Sequence, residues 1–198
     1  AINKKYICLF HRDALFKKEN FKINSLNEDR TVDISNYKNV INFFCELGYK
    51  VVLMGSSSQK KITLSNKNFI NYAHSKFKND YNDVYLAMNC DFFLNFGQSG
   101  FINFSHCFNK LSLNLEFPFN RKPYFHDKCF YALRPLYLNG KLMKFKDYFN
   151  DLLFQVHDFE ILKKKGYSLD ITPEKELIKI CEKFINVKNK KNYEKHKI

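Results

Sequence analysis

Between Tyr6 and Met54 the chain reads strand, helix, strand, and both strands are apolar through their length. Tyr6-Ile-Cys-Leu-Phe10 and Lys50-Val-Val-Leu-Met54 lack the polar alternation of a half-exposed strand. Continuous apolar runs of this kind belong to parallel strands covered by helices on both faces. Between them Val40, Ile41, Phe44 and Leu47 recur at helical spacing over about Tyr37 to Leu47. Asp33 to Asn36 supplies N-cap residues, and Gly48 stands where a left-handed helix end belongs. This is a βαβ unit, which requires a crossover and favours the right-handed one. The fold class expected is α/β with a mostly parallel sheet.

The remaining pattern extends that unit. Phe69 to Ala73 reads as a short third strand, and Asp80 to Met88 as a helix with Tyr81, Val84, Tyr85 and Met88 on one face. Cys90 to Leu94 is the next strand, followed by a turn from Asn95 to Gly100, a helix over Phe101 to Phe108, and Leu111 to Leu115 as the last strand of the sheet. Asp13 to Asp33 reads as a polar loop or flap. The stretch from Glu116 to Lys144, carrying Pro118, Pro123, Pro135 and Gly140, reads as loop with short helices. Lys146 to Phe154 and Phe159 to Lys165 are helical candidates. Thr172-Pro173-Glu174 opens a helix to about Val187, with Thr172 as N-cap and Leu177, Ile180, Cys181, Phe184 and Ile185 inward. Residues 1–187 are read as one domain and 188–198 as a lysine-rich solvated tail.

Composition narrows the partners. The 198 residues are 45% hydrophobic with 22 phenylalanines, enough for a substantial core. No apolar run reaches membrane-spanning length, and no signal peptide is evident, so the chain reads as soluble and cytoplasmic, with the inner membrane surface as a second location. The net charge of +13 raises a nucleic-acid reading. The abundance of Lys, Asn, Ile, Phe and Tyr beside few Arg, Gly and Pro is the bias of an A- and T-rich coding sequence, so no specific nucleic-acid partner is expected. The six cysteines form no CxxC; Cys8, Cys45, Cys90 and Cys181 lie in apolar runs and read as core residues in a reducing compartment. His106, His126 and His157 have no metal-ligand spacing, and no metal is assigned. The start at Ala1, without Met, suggests a fragment or processed chain.

Three strand ends share one rim if the sheet is parallel: His11-Arg12-Asp13, Gly55-Ser56-Ser57, and Gly97-Gln98-Ser99-Gly100. The carboxyl edge of an open α/β sheet is where ligands bind. Only four of the 33 basic residues are arginines, and Arg12 follows the first strand directly. Its planar fork suits phosphate; the alternative is a strand-end charge paired with Asp13 or Glu19. Glycines on either side of Gln98-Ser99 let backbone amides approach a ligand before a helix begins, a geometry suited to a diphosphate; an ordinary strand-to-helix turn uses the same residues. Gly55 and Ser56 bind phosphate or simply form a flexible turn. His11 is a general base or a surface hydrogen-bonding group, Asp13 a base or the residue that orients Arg12, and Arg30 a loop cation that closes over a ligand or stays solvated. Asn114 and Glu116 hold a ribose or sugar hydroxyl, or form a strand-end polar pair.

Tyr6-Ile-Cys-Leu-Phe-His-Arg-Asp13 resembles the strand ending in arginine-aspartate of a family of bacterial glycosyltransferases of GT-B type, whose strand-end arginine is similar to that of fucosyltransferase-like enzymes. Arg30 to Tyr37 resembles that family's lead into the first helix, and Gly48-Tyr-Lys-Val-Val-Leu-Met-Gly55 its Gly-Tyr, apolar strand, Met-Gly signature. Asp83 to Leu94 followed by Gln98-Ser99-Gly100, and Lys165-Gly166 through Thr172-Pro173-Glu174, match further pieces in order. Two positions depart: Phe10 stands where family members often have a histidine, and Leu53 where they carry an arginine.

The resemblance implies a Rossmann-like three-layer domain of the GT-B C-terminal type, half of a larger two-domain enzyme whose N-terminal domain is absent here. It implies transfer of a sugar from a nucleotide diphosphate sugar to a glycan, lipid or protein acceptor, in surface glycan synthesis, without a bound metal or other cofactor. Arg12 and Asp13 would then be catalytic, and His11, Arg30, Gly55, Ser56, Gln98, Ser99, Gly100, Asn114 and Glu116 donor-binding. The residues single out no general base for the acceptor. Two other readings stand beside it: a non-catalytic basic module binding nucleic acid or another polyanion, and a degenerate transferase-like scaffold.

Overall fold

A computed structural model describes residues 5–12, 28–119, 126–149, 153, 156 and 159–190. Its centre is a six-stranded sheet built from β1 (Tyr6–His11), β2 (Lys50–Leu53), β3 (Phe69–Ile70), β4 (Phe92–Phe96), β5 (Leu111–Phe117) and β6 (Cys129–Leu133). The spatial order is β3-β2-β1-β4-β5-β6, and every pairing is parallel. The chain therefore winds outward from β1 to β3, returns to the other side of β1, and winds outward again. This is the doubly wound, Rossmann-like order, with its switch point between β1 and β4.

Side-chain alternation along each strand builds two cores. Ile7, Leu9, Val51, Leu53, Phe92, Leu94, Phe96, Leu113 and Leu115 face one side. They meet α1 (Lys38–Glu46) and the final helix α5 (Glu174–Asn189) through Val40, Ile41, Phe44, Leu177, Cys181 and Phe184. Phe92 is the hub of that layer, with its ring centroid 5.7, 5.5 and 5.0 Å from Phe44, Tyr49 and Phe184 in edge-on contacts. Each such pair contributes about 0.5–1.5 kcal/mol beyond its buried area. Cys8, Phe10, Val52, Met54 and Phe93 face the other side, covered by α2 (Asp80–Asn89) and α3 (Ile102–Cys107). Cys8, Cys45, Cys90 and Cys181 are all buried.

Several expectations are corrected. The stretch from Glu116 to Lys144, read as loop, contains β6 and the hairpin of β7 (Leu136–Leu138) and β8 (Lys141–Leu142). Pro135 sits between β6 and β7 instead of interrupting either strand. With β9 (Tyr167–Leu169), the hairpin makes a small antiparallel sheet in the order β8-β7-β9, packed with α4 (Phe159–Lys164) around Phe119, Leu136, Tyr148 and Leu162. The third strand stops at Ile70, and Tyr72–His74 is a 3-10 turn; Phe145–Phe149 is likewise 3-10. The face of α2 carrying Tyr81, Val84, Tyr85 and Met88 is the exposed one, and Leu86 and Ala87 point inward. Pro173, not Thr172, precedes the first turn of α5. The helix extends to Asn189, past the expected start of the tail at 188. Lys188 pairs with Asp91 at 2.7 Å. Residues 191–198 lie outside the described residues.

Candidate functional site

The carboxyl tips of β1 and β2 and the turn after β4 converge on one cavity of about 700 Å³. That volume is in the range of small-ligand sites. His11, Arg12, Gly55, Ser56, Ser57, Ser99 and Gly100 line it, together with Gln59, Lys78, Asn79, Asp80, Asp83, Phe101 and Phe104. The three strand ends picked out in the sequence thus meet, and they meet at the switch point of the sheet.

Arg12 is fixed by its backbone and its side chain. Its amide donates to the Phe96 carbonyl at 3.3 Å, and its own carbonyl accepts from Val32 at 3.3 Å. Its Nη1 donates to the Gln98 carbonyl at 3.2 Å. The same carbonyl lies 3.5 Å from Nη2 of Arg30. Two of the four arginines are therefore gathered on one carbonyl behind the Gly97–Gly100 turn, with Arg12 reaching the cavity and Arg30 standing behind it. Asp13 lies outside the described residues.

Gly97 makes this arrangement possible. Its φ is +71°, and a Cβ there would lie 2.3 Å from the Arg30 carbonyl oxygen. That oxygen accepts the Gln98 amide at 3.2 Å, so the turn and the arginine loop are pressed together backbone to backbone. Only glycine tolerates both the left-handed conformation and the approach. Gln98 is held at this seam by its backbone and does not line the cavity. Ser99 and Gly100 line the cavity, and the Ser99 hydroxyl accepts from the Phe101 amide at 3.4 Å.

The Gly55–Ser58 segment is a built turn. Gly55 has φ +117°, and Gln59 folds back beneath it to donate to the Met54 carbonyl at 2.9 Å. The Ser56 hydroxyl is 2.9 Å from that of Ser58 and accepts the Ser58 amide at 3.2 Å. Ser56 lines the cavity with its hydroxyl already engaged in holding the turn.

Asn114 and Glu116, expected at a hydroxyl-binding position, do not line the cavity. Asn114 is fully buried in the sheet, accepting from the Asn95 side-chain amide at 2.8 Å and donating to the Phe130 carbonyl at 3.0 Å. Glu116 sits at a bulge with φ +54°, where the β5–β6 register shifts. Its carboxylate accepts the Thr172 amide at 3.2 Å and lies 3.3 Å from Nε of Arg134. Burial raises the Glu116 carboxyl above the usual glutamate range, against the Thr172 and Arg134 contacts that pull it down. Both side chains are engaged by neighbours within the fold, Asn114 by Asn95 and Phe130 and Glu116 by Thr172 and Arg134.

Sequence reasoning missed the wall opposite Arg12, which is the start of α2. Asn79 caps that helix by accepting the Asn82 amide at 2.8 Å, and Asp80 and Asp83 occupy its first turn. Lys78 is ion-paired with Asp83, which also accepts the Tyr72 hydroxyl at 2.8 Å. The signal was present, because a helix that returns to a parallel strand starts at the carboxyl rim. That rule was applied to Phe101 and not to Asp80. Phe101 and Phe104 add an apolar wall, with Phe101 stacked on Phe10 at 4.2 Å and on Phe104 at 5.5 Å. The cavity is cationic at Arg12, acidic at α2 and aromatic along α3.

His106 and His126, scattered in sequence, stack with ring centroids 5.1 Å apart, away from this cavity. Among the described residues no group of His, Cys, Asp and Glu is arranged to hold a metal ion, and no helix is long and apolar enough to cross a membrane. Comparison of the chain with known protein families, with characterised proteins and with solved structures finds no match.

Proposed function

We propose that the chain binds a nucleotide diphosphate sugar in the switch-point cavity and takes part in transferring its sugar to an acceptor. The observation that carries this reading is the meeting of Arg12, the Gly55–Ser56 turn and the Ser99–Gly100 turn on a single cavity at the β1/β4 crevice. Ligands of open α/β sheets bind at such crevices. The diphosphate lies against Arg12 and the Ser99–Gly100 backbone. As the bond from the anomeric carbon to the β-phosphate oxygen breaks, charge grows on the leaving diphosphate, and the held guanidinium stabilises it. Asp80 accepts hydrogen bonds from sugar or ribose hydroxyls, the role first given to Asn114 and Glu116. Phe101 and Phe104 pack against the flat, apolar part of the ligand.

A thermal-shift screen of nucleoside diphosphates and their sugars tests the reading. Stabilisation by one nucleoside diphosphate series, weaker for the matching monophosphate, is expected. No shift with any nucleotide, together with salt-sensitive binding of nucleic acid, would replace it with the polyanion-binding alternative.

A further inference from the structure

A directed chain of buried hydrogen bonds crosses three strands and ends on a sulfur. Asn95, Ser112 and Asn114 point from β4 and β5 toward the α3 side, where apolar residues would ordinarily fill a sheet face. They are 3%, 0% and 0% exposed. The Asn95 side-chain amide donates to Oδ1 of Asn114 at 2.8 Å. Nδ2 of Asn114 donates to Oγ of Ser112 at 3.1 Å. The Ser112 hydroxyl in turn donates to Sγ of Cys129 at 3.2 Å. Cys129 opens β6 in register with Ser112. On its other side, Nε2 of His106, from the last turn of α3, lies 3.1 Å from the same sulfur. The His106 ring is held by stacking on His126, at 17° between planes. Burial and the neighbouring His126 lower the affinity of His106 for a proton; in the tautomer protonated at Nδ1, Nε2 faces the sulfur as an acceptor.

A nucleophilic cysteine needs a base within hydrogen-bond reach, something to orient that base, and donors that stabilise the thiolate. All three are present here, and they lie outside the nucleotide cavity. We infer that Cys129 and His106 form a reactive thiol–imidazole pair, a site of reversible modification by small-molecule disulfides. The proton on Cys129 Sγ passes to Nε2 of His106, and the thiolate attacks one sulfur of R–S–S–R. A Cys129–S–S–R bond forms as the original S–S bond breaks, and the departing R–S⁻ takes the proton to leave as R–SH. Cys129 is oxidised to the disulfide level and the released half is reduced. This inference is independent of the nucleotide reading.

Cys107 provides an internal standard. It is exposed, whereas Cys129 is half-buried, so exposure alone makes Cys107 the faster thiol. The folded chain is mixed with substoichiometric dithiobis-nitrobenzoate at neutral pH, quenched with iodoacetamide, and mapped by peptide mass spectrometry. Cys129 is expected to form its mixed disulfide at least about tenfold faster than Cys107. His106→Ala is expected to abolish that advantage while leaving the Cys107 rate unchanged. Ser112→Ala is expected to reduce it, and Ser112→Thr, which keeps the hydroxyl, to retain it. Cys107 reacting as fast as Cys129 in the unmutated chain would overturn the inference, which needs no variant to fold. An advantage that survives His106→Ala would do the same.

Discussion

Nη1 of Arg12 donates to the carbonyl oxygen of Gln98 at 3.2 Å across 86 positions of sequence. This bond ties the tip of β1 to the turn after β4, the two sides of the switch-point crevice. The guanidinium is thereby held at the cavity wall by a backbone group that substitution of Gln98 would leave in place. The Arg12 amide and carbonyl also bond to Phe96 and Val32, so the backbone at this position is held independently of its side chain.

Arg12→Ala is therefore expected to weaken nucleoside diphosphate binding by about 10- to 100-fold, the size of a lost charged hydrogen bond of about 1.5–3 kcal/mol. The melting temperature should fall modestly, through loss of the contact with the Gln98 carbonyl, with the variant still folded because the backbone bonds to Phe96 and Val32 remain. Arg12→Lys should recover only part of the affinity, because an ammonium lacks the fork that grips two phosphate oxygens. Titration calorimetry and a thermal melt on both variants check this.

Gly97→Ala should destabilise the chain by about 1–3 kcal/mol, from left-handed strain and the approach to the Arg30 carbonyl. Gly100→Ala, where a Cβ meets nothing within 4 Å, should be near neutral in stability. Urea unfolding of the two variants makes the comparison. Equal losses would mean that the 97–100 turn and the arginine loop are not pressed together as described.

Arg134→Ala should cost about 3–5 kcal/mol, because it strips a buried carboxylate of its charged partner. Adding Glu116→Gln to that variant should restore part of the loss. The Glu116 carboxyl titrates above its usual range when folded, so its contribution favours the folded state at low pH and declines as pH rises through that raised value. Glu116→Gln should remove that decline from a plot of unfolding free energy against pH.

Asp33 works in the opposite sense. It accepts the Ser35 hydroxyl at 2.6 Å and pairs with Lys60 at 2.9 Å, and these contacts lower its carboxyl to about 2. Its folded-state value lies below the unfolded one, so its contribution is present above the ordinary aspartate range and is lost as pH falls toward about 2. Asp33→Asn should lower stability at neutral pH, leave it little changed near pH 2, and so flatten the acid limb of the same plot.

Much of the scaffold was legible because it follows from local period. The continuous apolar runs of β1 and β2, the inward positions of α1 and α5, and the strand-to-helix turn at 97–100 are set by residues near one another in sequence. β6 was missed because it is an edge strand with every residue half-buried, lying between prolines, and its hydrophobic alternation is weak. The small sheet was missed because strands of two and three residues carry no period. The spacing on α2 groups Tyr81, Val84, Tyr85 and Met88 on one face, but only tertiary packing decides that Leu86 and Ala87 are the buried residues. At the site, the strand tips were visible from the parallel-sheet rule, but the bulge at Glu116 was not. A bulge turns its carboxylate toward Arg134 and Thr172, and a strand-end position in sequence does not announce a bulge.

A diphosphate site built on Arg12 in the crevice between β1 and β4 is tested most directly by titration calorimetry of a nucleoside diphosphate panel against the unmutated chain and Arg12→Ala, each at low and raised salt. At least one diphosphate should bind the unmutated chain and lose about 10- to 100-fold in affinity in the variant. Equal affinity in both proteins, or no diphosphate bound by either, would contradict it.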